Sequence, residues 1–396
     1  MEQVRIAFIG LGCRGMGLMD NVLSMKDTAV TAVCDVYEDR IEDAKKKVKR
    51  KKKTIPFGTV DYKEVLSRDD VDIVIISASW QAHTYLACDS MRSGKFTALE
   101  VGGTYDIENC YKLVETYEET KTPFMFLENC CYGKRELMCL EMAKQGVFGK
   151  IVQCDGAYAH DLRNEVSFGK ENRHYRLDHY INYNCDNYPT HDLGPIAKIL
   201  GINENNRMTK LISLVSGSYG LHDYIAEKKK DDEALRDMKF SQADIVTTMI
   251  ECENGETIRL TLDTTLPRFY SRGFTVHGTK ALYQEDGDIV FIDNETIKKY
   301  GMRVEFDQSV LYKNAKKYEK KYMPEIWSRL TKAEIRAGHG GMDYIMLRDM
   351  IDCFRSDRNP PIDVYDAAAW MSVTALSKKS IDEGCVWVDI PDFKKK

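Results

Sequence analysis

Three glycines near the start of the chain restrict its fold more than any other motif. Gly10, Gly12 and Gly15 form a G-x-G-x-x-G pattern directly after an apolar run, Val4 to Ile9, and at the start of a helical stretch. This order of strand, tight turn and helix is typical of a dinucleotide-binding βαβ unit, in which the glycines let the backbone approach a pyrophosphate. A tight turn that holds no ligand is the alternative.

An acidic residue strengthens the dinucleotide interpretation. Asp35 follows Gly15 by twenty residues and stands at the end of the second apolar run. A carboxylate there can accept hydrogen bonds from a ribose 2′-hydroxyl, and it would repel the 2′-phosphate of NADP. The helix that begins at the glycines also presents the positive end of its dipole to a pyrophosphate. The sequence therefore predicts NAD as the cofactor.

The first third of the chain alternates apolar runs with amphipathic stretches. The runs are rich in β-branched residues and lack polar alternation, as in buried parallel strands. We expect strands at Val4 to Ile9, Ala29 to Cys34, Ile73 to Ala78, Phe96 to Glu100 and Pro123 to Leu127, with intervening helices that include Ala82 to Met91 and Ile107 to Thr120. This alternation predicts an α/β protein whose residues 1–129 form a Rossmann domain with a doubly wound parallel sheet.

From about Cys130 onward, strands follow one another without helices between most of them. Turn signals stand at Asn254-Gly255 and at Glu285 to Gly287. The expected strands are Ile151 to Tyr158, Lys210 to Val215, Asp244 to Cys252 and Thr257 to Asp263. Residues 130–396 are therefore predicted to form an α+β substrate and oligomerisation domain with a large, mostly antiparallel open sheet.

The charge balance excludes two classes of partner. The chain has 57 Lys and Arg against 62 Asp and Glu, a formal net charge of -5, so it offers no global basic field to nucleic acid or to an anionic membrane. The basic run Lys45 to Lys53 has no interleaved aromatic residues and is interpreted as a solvated helix face. No stretch approaches the ~18 consecutive apolar residues of a membrane span.

The cysteine pattern bears on redox state and metal binding. The 12 cysteines are scattered and several lie in apolar runs, which indicates reduced thiols rather than a disulfide framework. Cys130-Cys131 lacks the spacing of a zinc site, so no metal is expected. The chain opens directly into a strand without the charged and apolar regions of a secretion signal, and we therefore expect a cytoplasmic protein.

Polar residues collect where the predicted strands of the first domain end. Ser79, Trp80 and His83 follow the third strand and Glu100 ends the fourth, at the edge where open α/β sheets bind ligands. Trp80 is a candidate to cover a cofactor ring, with core packing as the alternative. His83 is either a site residue or a helix-start histidine with a satisfied hydrogen bond.

The second half carries three polar clusters that are denser than a protein core normally allows. Pro189 fits the first turn of a helix that begins near Tyr188, so Tyr188 and His191 can share one helix face. Structural hydrogen-bonding residues are the alternative interpretation. The clusters are Tyr158 to Arg163, which includes His160, then Arg176 to His179, then Asn187 to Pro195.

The organisation of the whole chain resembles the glucose-fructose oxidoreductase, inositol dehydrogenase and MocA (Gfo/Idh/MocA) family. That family combines an N-terminal Rossmann domain, an E-K-P motif after the fourth strand and a C-terminal sheet domain. Val101 stands at the position of the family's catalytic Lys, and Gly102 replaces the Pro. An ordinary alcohol dehydrogenase of this family would therefore lack its proton-shuttling amine.

The motifs of the second half resemble a branch of that superfamily, glycoside hydrolase family 109, whose NAD-dependent members are known for α-N-acetylgalactosaminidase activity. Tyr175 and Asp192 depart from the family pattern, which has Trp and Gly there, as does Ala157, where the family has Gly. The matching segments are Gly156 to Arg163, Tyr175 to His179, Tyr188 to Pro195, Asp263 to Arg272 and Gly338 to Asp343.

The resemblance implies a redox-neutral hydrolysis. NAD+ takes a hydride from C3 of the sugar, the C2 proton is removed, the C1 substituent leaves, water adds, and the hydride returns. His191 is assigned to the C3 hydroxyl and Tyr158 to the C2 proton, with Arg163 or the cofactor's charge to lower the pKa of the phenol. Substrate binding is assigned to Arg176, Tyr188, His160 and Arg163. Cofactor binding is assigned to Gly10, Gly12, Cys13, Arg14, Gly15, Asp35, Ser79, Trp80, His83, Glu100 and Asn129.

Three other functions stay open at this stage. The chain could be a net sugar or cyclitol dehydrogenase of the parent family, or a sensor that binds NAD and a sugar without turnover. A hydrolase with two carboxylates is the third, and its acids would come from Asp155, Asp161 and Asp178. In every case the expected partner is a small molecule, a glycoside in the favoured one, with a homo-oligomer as the assembly.

Overall fold

The chain folds into two compact units, and the computed structural model describes residues 3–394. One unit contains the described residues up to Gly133 together with Ile326–Ala368. The other contains Lys134–Glu325 and the described residues from Ala369 onward. A segment far along the sequence therefore returns to the N-terminal unit.

The N-terminal unit is built on a parallel sheet of six strands in the order β3-β2-β1-β4-β5-β6. Residues of the central strand β1 such as Ile6 and Phe8 have no exposed surface, as expected for a sheet covered on both faces. The strands are β1 (Val4–Ile9), β2 (Thr28–Cys34), β3 (Phe57–Thr59), β4 (Ile73–Ile76), β5 (Phe96–Glu100) and β6 (Phe124–Leu127). The predicted Rossmann sheet is confirmed, and only the short edge strand β3 is additional.

Helices connect these strands as the doubly wound pattern requires. The basic run falls in α2, where Lys45 and Lys46 pair with Glu42 and Asp43 on the surface, which confirms the solvated helix face. The helices are α1 (Cys13–Ser24), α2 (Glu38–Lys52), α3 (Tyr62–Leu66), α4 (Trp80–Arg92) and α5 (Glu108–Thr120).

The returning segment adds a further helix to this unit. After α14 (Glu325–Ser328) and α15 (Lys332–Arg336), the glycine-rich turn at 338–341 leads into α16 (Met342–Ser356), which packs against α1. The backbone N–H of Phe126 in β6 donates to the carbonyl of Ile362 at 3.0 Å. The sequence predicted this turn, but it did not predict that the chain returns here to the N-terminal unit.

The second unit contains a sheet of eight strands in the order β13-β12-β11-β7-β10-β9-β8-β14. Only the pair β7 and β10 is parallel, so the expected mostly antiparallel sheet is confirmed. The strands are β7 (Ile151–Ala159), β8 (Met208–Val215), β9 (Ile245–Cys252), β10 (Thr257–Asp263), β11 (Thr275–Gly278), β12 (Ala281–Gln284), β13 (Ile289–Ile292) and β14 (Val388–Asp389).

Helices of the second unit flank the sheet and carry its longer connections. Both predicted turns join antiparallel neighbours, with Gly255 between β9 and β10 and Gly287 between β12 and β13 at positive φ. The helices are α6 (Lys134–Lys144), α7 (Arg163–Ser167), α8 (Arg176–Asn182), α9 (Thr190–Leu200), α10 (Gly220–Lys228), α11 (Glu233–Arg236), α12 (Asp293–Tyr300) and α13 (Glu319–Tyr322), while α17 (Val364–Asp382) has residues in both units.

All twelve cysteines are free thiols, and most of them are buried. This agrees with the expectation that they pack as small hydrophobic residues. Among residues 3–394, no helix has the length and apolar character needed to cross a membrane.

Two glycines of α1 give a matched test of the packing between helix and sheet. A Cβ on Gly15 would lie 2.1 Å from the carbonyl oxygen of Gly10, whereas a Cβ on Gly17 would meet no heavy atom within 4 Å. We predict that Gly15→Ala lowers the free energy of unfolding by ~1–3 kcal/mol through overpacking. Gly17→Ala should instead raise it by up to about 1 kcal/mol through helix propensity. Denaturant unfolding measures both, and equal stabilities of the two variants would contradict the packing described.

Candidate active site

The glycine turn of the N-terminal unit has the geometry of a phosphate cradle. Gly10 has a φ of 95°, and its carbonyl accepts a hydrogen bond from the Ser77 hydroxyl at 2.8 Å. Gly12 caps α1 and, as a glycine, offers no side chain to the first-turn N–H groups of that helix. A Cβ on Gly12 would come only within 3.9 Å of Arg40. Open space therefore adjoins the positive end of the helix, as pyrophosphate binding requires.

Asp35 lies at the end of β2 with 7% of its surface exposed. Its Oδ2 accepts the Leu11 N–H at 2.7 Å, and its Oδ1 accepts the Tyr37 N–H at 3.0 Å. A carboxylate has about four acceptor positions, so capacity remains for a ribose hydroxyl. Arg40 Nη1 lies 3.7 Å from Asp35 Oδ2 and places a cation beside this acid. The cradle and the acid together fit a dinucleotide.

Other predicted cofactor residues stand at the carboxyl ends of β4 and β5. Ser79 caps α4, and Trp80, its first residue, is only 6% exposed. A Cβ on Gly102 would lie 2.4 Å from the Trp80 ring, so the absence of a side chain at residue 102 makes room for the indole. His83 is buried and its Nε2 lies 3.1 Å from the Ala78 carbonyl oxygen. Burial lowers the pKa of His83 to about 4, so its imidazole is neutral at physiological pH.

Arg14 and Glu100 form an ion pair at this edge of the sheet. Arg14 Nε donates to Glu100 Oε1 at 2.7 Å, and the same guanidinium contacts Asp343. Asn129, which follows β6, also contacts Asp343. Cys13 is an exposed free thiol in the first turn of α1. Arg14 is thus neutralised by two carboxylates.

In the second unit, β7 packs closely against α9. A Cβ on Gly156 would lie 2.7 Å from Asp192 Cβ, so the glycine lets α9 approach the strand. As a result Tyr158 of β7 faces His191 of α9, with ring centroids 5.7 Å apart. Tyr188, just before α9, has its ring centroid 4.3 Å from that of Tyr158. The structure therefore brings together residues that the sequence placed in separate clusters.

Hydrogen bonds connect the rings of this cluster. The hydroxyl oxygen of Tyr158 lies 3.3 Å from His160 Nδ1, and that of Tyr188 lies 3.3 Å from His191 Nε2. Tyr158, Tyr188 and His191 are each less than 9% exposed. Two phenols and two imidazoles in such proximity can hold and transfer protons.

Arg176 is the cation of this cluster. Its guanidinium carbon lies 5.3 Å from the centroid of the Tyr188 ring, and its Nη1 donates to Glu165 Oε1 at 2.6 Å. Burial raises the pKa of Tyr158 to about 12, although the positive charge of Arg176 opposes the rise. Burial and the charge of Arg176 both lower the pKa of His160. Arg176 therefore favours a phenolate and a neutral imidazole.

Arg163 has a different position from the one expected of a partner for Tyr158. It begins α7 and pairs with Asp161 at 2.7 Å, and its guanidinium carbon lies 5.0 Å from the Tyr224 ring centroid. The cation that acts on Tyr158 is Arg176. The two arginines are close in sequence, and only tertiary packing distinguishes their roles.

Tyr270 joins the cluster without having been singled out from the sequence. Its ring centroid lies 5.2 Å from that of His160 in an edge-to-face arrangement, and 47% of its surface is exposed. The available signal was the segment Asp263 to Arg272, which contains Tyr270 and resembles the family motif.

The acids considered for a two-carboxylate hydrolase have other partners. Asp155 pairs with Arg259 at 2.9 Å on the sheet. Hydrogen bonding to Arg163 lowers the pKa of Asp161, whereas a general acid of a glycosidase needs a raised one. Asp178 lies on the exposed side of α8. These environments do not favour that alternative.

Comparison with known proteins agrees with both halves of the chain. Residues 4–127 match the oxidoreductase family with an NAD-binding Rossmann fold, and residues 132–396 match the C-terminal domain of glycosyl hydrolase 109. The N-terminal unit is accordingly an NAD-binding domain.

Curated relatives match along nearly the whole chain. The α-N-acetylgalactosaminidase of Tannerella forsythia is 35% identical over 416 residues, which cover 99% of this chain and 86% of the relative. That of Shewanella oneidensis is 35% identical over 404 residues, which cover 100% of this chain and 86% of the relative.

Solved structures show the same fold at low sequence identity. A levoglucosan dehydrogenase in complex with NADH and levoglucosan has a TM-score of 0.74 at 14% identity, covering 98% of this chain and all of its own. Myo-inositol 2-dehydrogenase of Lactobacillus plantarum has a TM-score of 0.68 at 14% identity, with coverage of 98% and 100%.

The environment of Asp35 predicts that substitution of this residue changes the preference for NAD over NADP. Asp35→Asn removes the carboxylate and leaves Arg40 beside the ribose position, so the ratio of NADP+ to NAD+ affinity should rise by about 10-fold or more. Fluorescence titration with both nucleotides measures the ratio. Glu38→Gln, an exposed substitution at the start of α2, serves as the control. An unchanged ratio in Asp35→Asn would contradict the assignment of this acid to the ribose.

Proposed function

This chain belongs to glycosyl hydrolase family 109, and from that premise we propose that it cleaves an α-N-acetylgalactosaminide or a related hexose glycoside with NAD as a recycled cofactor. The observation that carries the proposal is the buried cluster of Tyr158, Tyr188 and His191 beside Arg176. It supplies proton-transfer groups and a fixed cation in a chain that also contains an NAD-binding domain. Val101, at the position of the parent family's Lys, agrees with this chemistry.

The proposed reaction passes through a ketone at C3 of the sugar. When bound, NAD+ supplies the hydride acceptor for C3 and afterwards returns the hydride. A C3 ketone acidifies the C2 proton, so its removal expels the C1 substituent and leaves an unsaturated ketone. Water then adds at C1 and a proton returns to C2. The sum is hydrolysis of the glycoside, with no net oxidation.

His191 is assigned to the C3 hydroxyl. An imidazole in its neutral form can accept the proton that leaves this hydroxyl. The Tyr188 hydroxyl, 3.3 Å from His191 Nε2, holds the ring orientation and can hydrogen-bond a sugar hydroxyl. Arg176, whose guanidinium carbon lies 5.3 Å from the centroid of the Tyr188 ring, is assigned to the positioning of sugar hydroxyls.

Tyr158 is assigned to the C2 proton. Its pKa of about 12 in this environment means that the phenol is protonated at neutral pH, so its use as a base depends on a cation that stabilises the phenolate. Arg176 is that cation, because its charge acts on Tyr158 and it cannot lose its proton. His160 Nδ1, 3.3 Å away, offers a hydrogen-bond partner to the same oxygen.

The function is tested with purified protein, no added cofactor and a nitrophenyl α-N-acetylgalactosaminide. Nitrophenol and reduced nicotinamide are followed together by absorbance. We expect many turnovers of nitrophenol per chain without accumulation of NADH. If sugars or cyclitols with added NAD+ accumulate NADH and no nitrophenol appears, the chain is a net dehydrogenase. NAD and sugar binding without either product would indicate a sensor.

The assignment of Tyr158 gives a sharper prediction. Tyr158→Phe should lower the rate of nitrophenol release by about 100-fold or more, the usual contribution of a general base, while NAD stays bound. Tyr219→Phe, at a side chain that is 71% exposed, should retain the parental rate. A Tyr158→Phe protein with full activity would contradict this role.

Two further properties belong to the proposal. We place the protein in the cytoplasm, supported by its twelve free and mostly buried thiols, which suit a reducing compartment. We also expect a homo-oligomer, with the large sheet of the second unit as the pairing element. Cell fractionation tests the location, and light scattering tests the oligomeric state.

A further inference from the structure

A strained turn in the N-terminal unit stands directly before α16. Gly338, His339, Gly340 and Gly341 all have positive φ, at 42°, 45°, 68° and 101°. Such a run is costly for any residue other than glycine, and His339 adopts it nonetheless. Strain of this kind persists where surrounding contacts enforce it, and it is concentrated at functional sites.

The contacts that surround this turn converge on Asp343. A Cβ on Gly338 would lie 2.3 Å from Asp343 Oδ2, so only glycine allows the backbone so close to the carboxylate. His339 Nδ1 lies 2.9 Å from the same oxygen. The Asp343 side chain is only 2% exposed, in the first turn of α16.

Asp343 also receives hydrogen bonds from two segments far away in sequence. Arg14 Nη1 donates to Oδ2 at 2.7 Å and Nη2 to Oδ1 at 3.0 Å, a bidentate pair. Asn129 Nδ2 donates to Oδ1 at 2.7 Å. The carboxylate therefore fixes the orientation of both a guanidinium and a side-chain amide.

The electrostatics keep this arrangement charged. Burial alone would raise the pKa of Asp343, yet the hydrogen bond with His339 and the charge of Arg14 bring it well below its usual range. Burial likewise opposes the charge of Arg14, but Glu100 and Asp343 raise its pKa. Asp343 is thus an anion and Arg14 a cation at neutral pH.

The two residues that donate hydrogen bonds to Asp343, Arg14 and Asn129, lie at the edge where the strands of the parallel sheet end. Arg14 is in the first turn of α1, next to the glycine cradle, and Asn129 follows the carboxyl end of β6. Glu100, the other partner of Arg14, is the last residue of β5. Ligands of open α/β sheets bind at these carboxyl ends.

We propose that Asp343 is a positioning residue for the cofactor, which holds Arg14 and Asn129 in the orientation that binds NAD and thereby slows its release. The alternative is a purely structural ion pair that attaches α16 to the sheet. The two differ in whether loss of the carboxylate changes NAD affinity. The inference concerns the cofactor alone and is tested without any sugar, so its outcome is independent of the proposed glycosidase activity.

The test uses the full chain with Asp343→Asn, which preserves the size of the side chain. NAD content after purification, affinity for NADH by fluorescence, and the NADH dissociation rate in a chase with excess NAD+ are measured. We expect affinity to fall at least ~10-fold, the scale of a lost charge-assisted bidentate hydrogen bond, with faster dissociation. Asp352→Asn, an exposed acid on the same helix, should match the parent.

An opposite result is physically possible and decisive. If Asp343 only neutralised Arg14, its removal would leave Glu100 as the one carboxylate paired with the guanidinium among the contacts described above, and the less neutralised cation would bind the pyrophosphate of NAD as tightly as before or more tightly. Either result in a protein with parental circular dichroism would overturn the proposal.

A double-mutant cycle distinguishes weaker NADH binding that arises through Arg14 from weaker binding caused by a general loss of stability. Arg14→Lys retains the charge but cannot form the bidentate pair. If Asp343 acts through Arg14, the combined variant should lose less NADH affinity than the two single losses added together. Additive losses would overturn the proposal even if Asp343→Asn alone weakens binding.

Discussion

Each unit of this protein is organised around a largely buried arginine paired with carboxylates. A guanidinium cannot lose its proton, so a buried one requires acids or aromatic rings around it. Arg14 has Glu100 and Asp343 in the N-terminal unit, and Arg176 has Glu165 and the Tyr188 ring in the second. Asn129 and His339 also contact Asp343, which extends the first of these pairings.

Each unit contains an arginine that stays protonated, and this limits which groups can transfer protons. The parent family has a titratable amine directly after its conserved Glu, and this chain has Val101 there. Glu100 pairs with Arg14, which stabilises charge but cannot transfer a proton. The proposed proton-transfer groups are therefore Tyr158 and His191, and the charge of Arg176 opposes the rise that burial causes in the pKa of Tyr158. These features favour elimination from an oxidised sugar over simple alcohol oxidation.

The sequence predicts most of what depends on local pattern. β1 and β5 have the expected bounds because buried parallel strands are continuous apolar runs, whereas β3, with three partly exposed residues, gave no such signal. The polar motifs indicated residues that the structure brings into one cluster, but the choice of Arg163 as the cation for Tyr158 was wrong, because Arg176 is the arginine that acts on it. The return of residues 326–368 to the N-terminal unit was also missed, because a contact between Asp343 and Arg14 leaves no periodicity in the sequence.

The central claim is that the glycosidic bond is broken by elimination after removal of the C2 proton. Hydrolysis of the glycoside in deuterium oxide, with mass spectrometric and NMR analysis of the released sugar, tests it most directly. The account predicts one deuterium at C2, because the proton returned to that carbon comes from an exchangeable group. A released sugar that keeps its original C2 proton throughout would contradict the account and indicate direct displacement at C1.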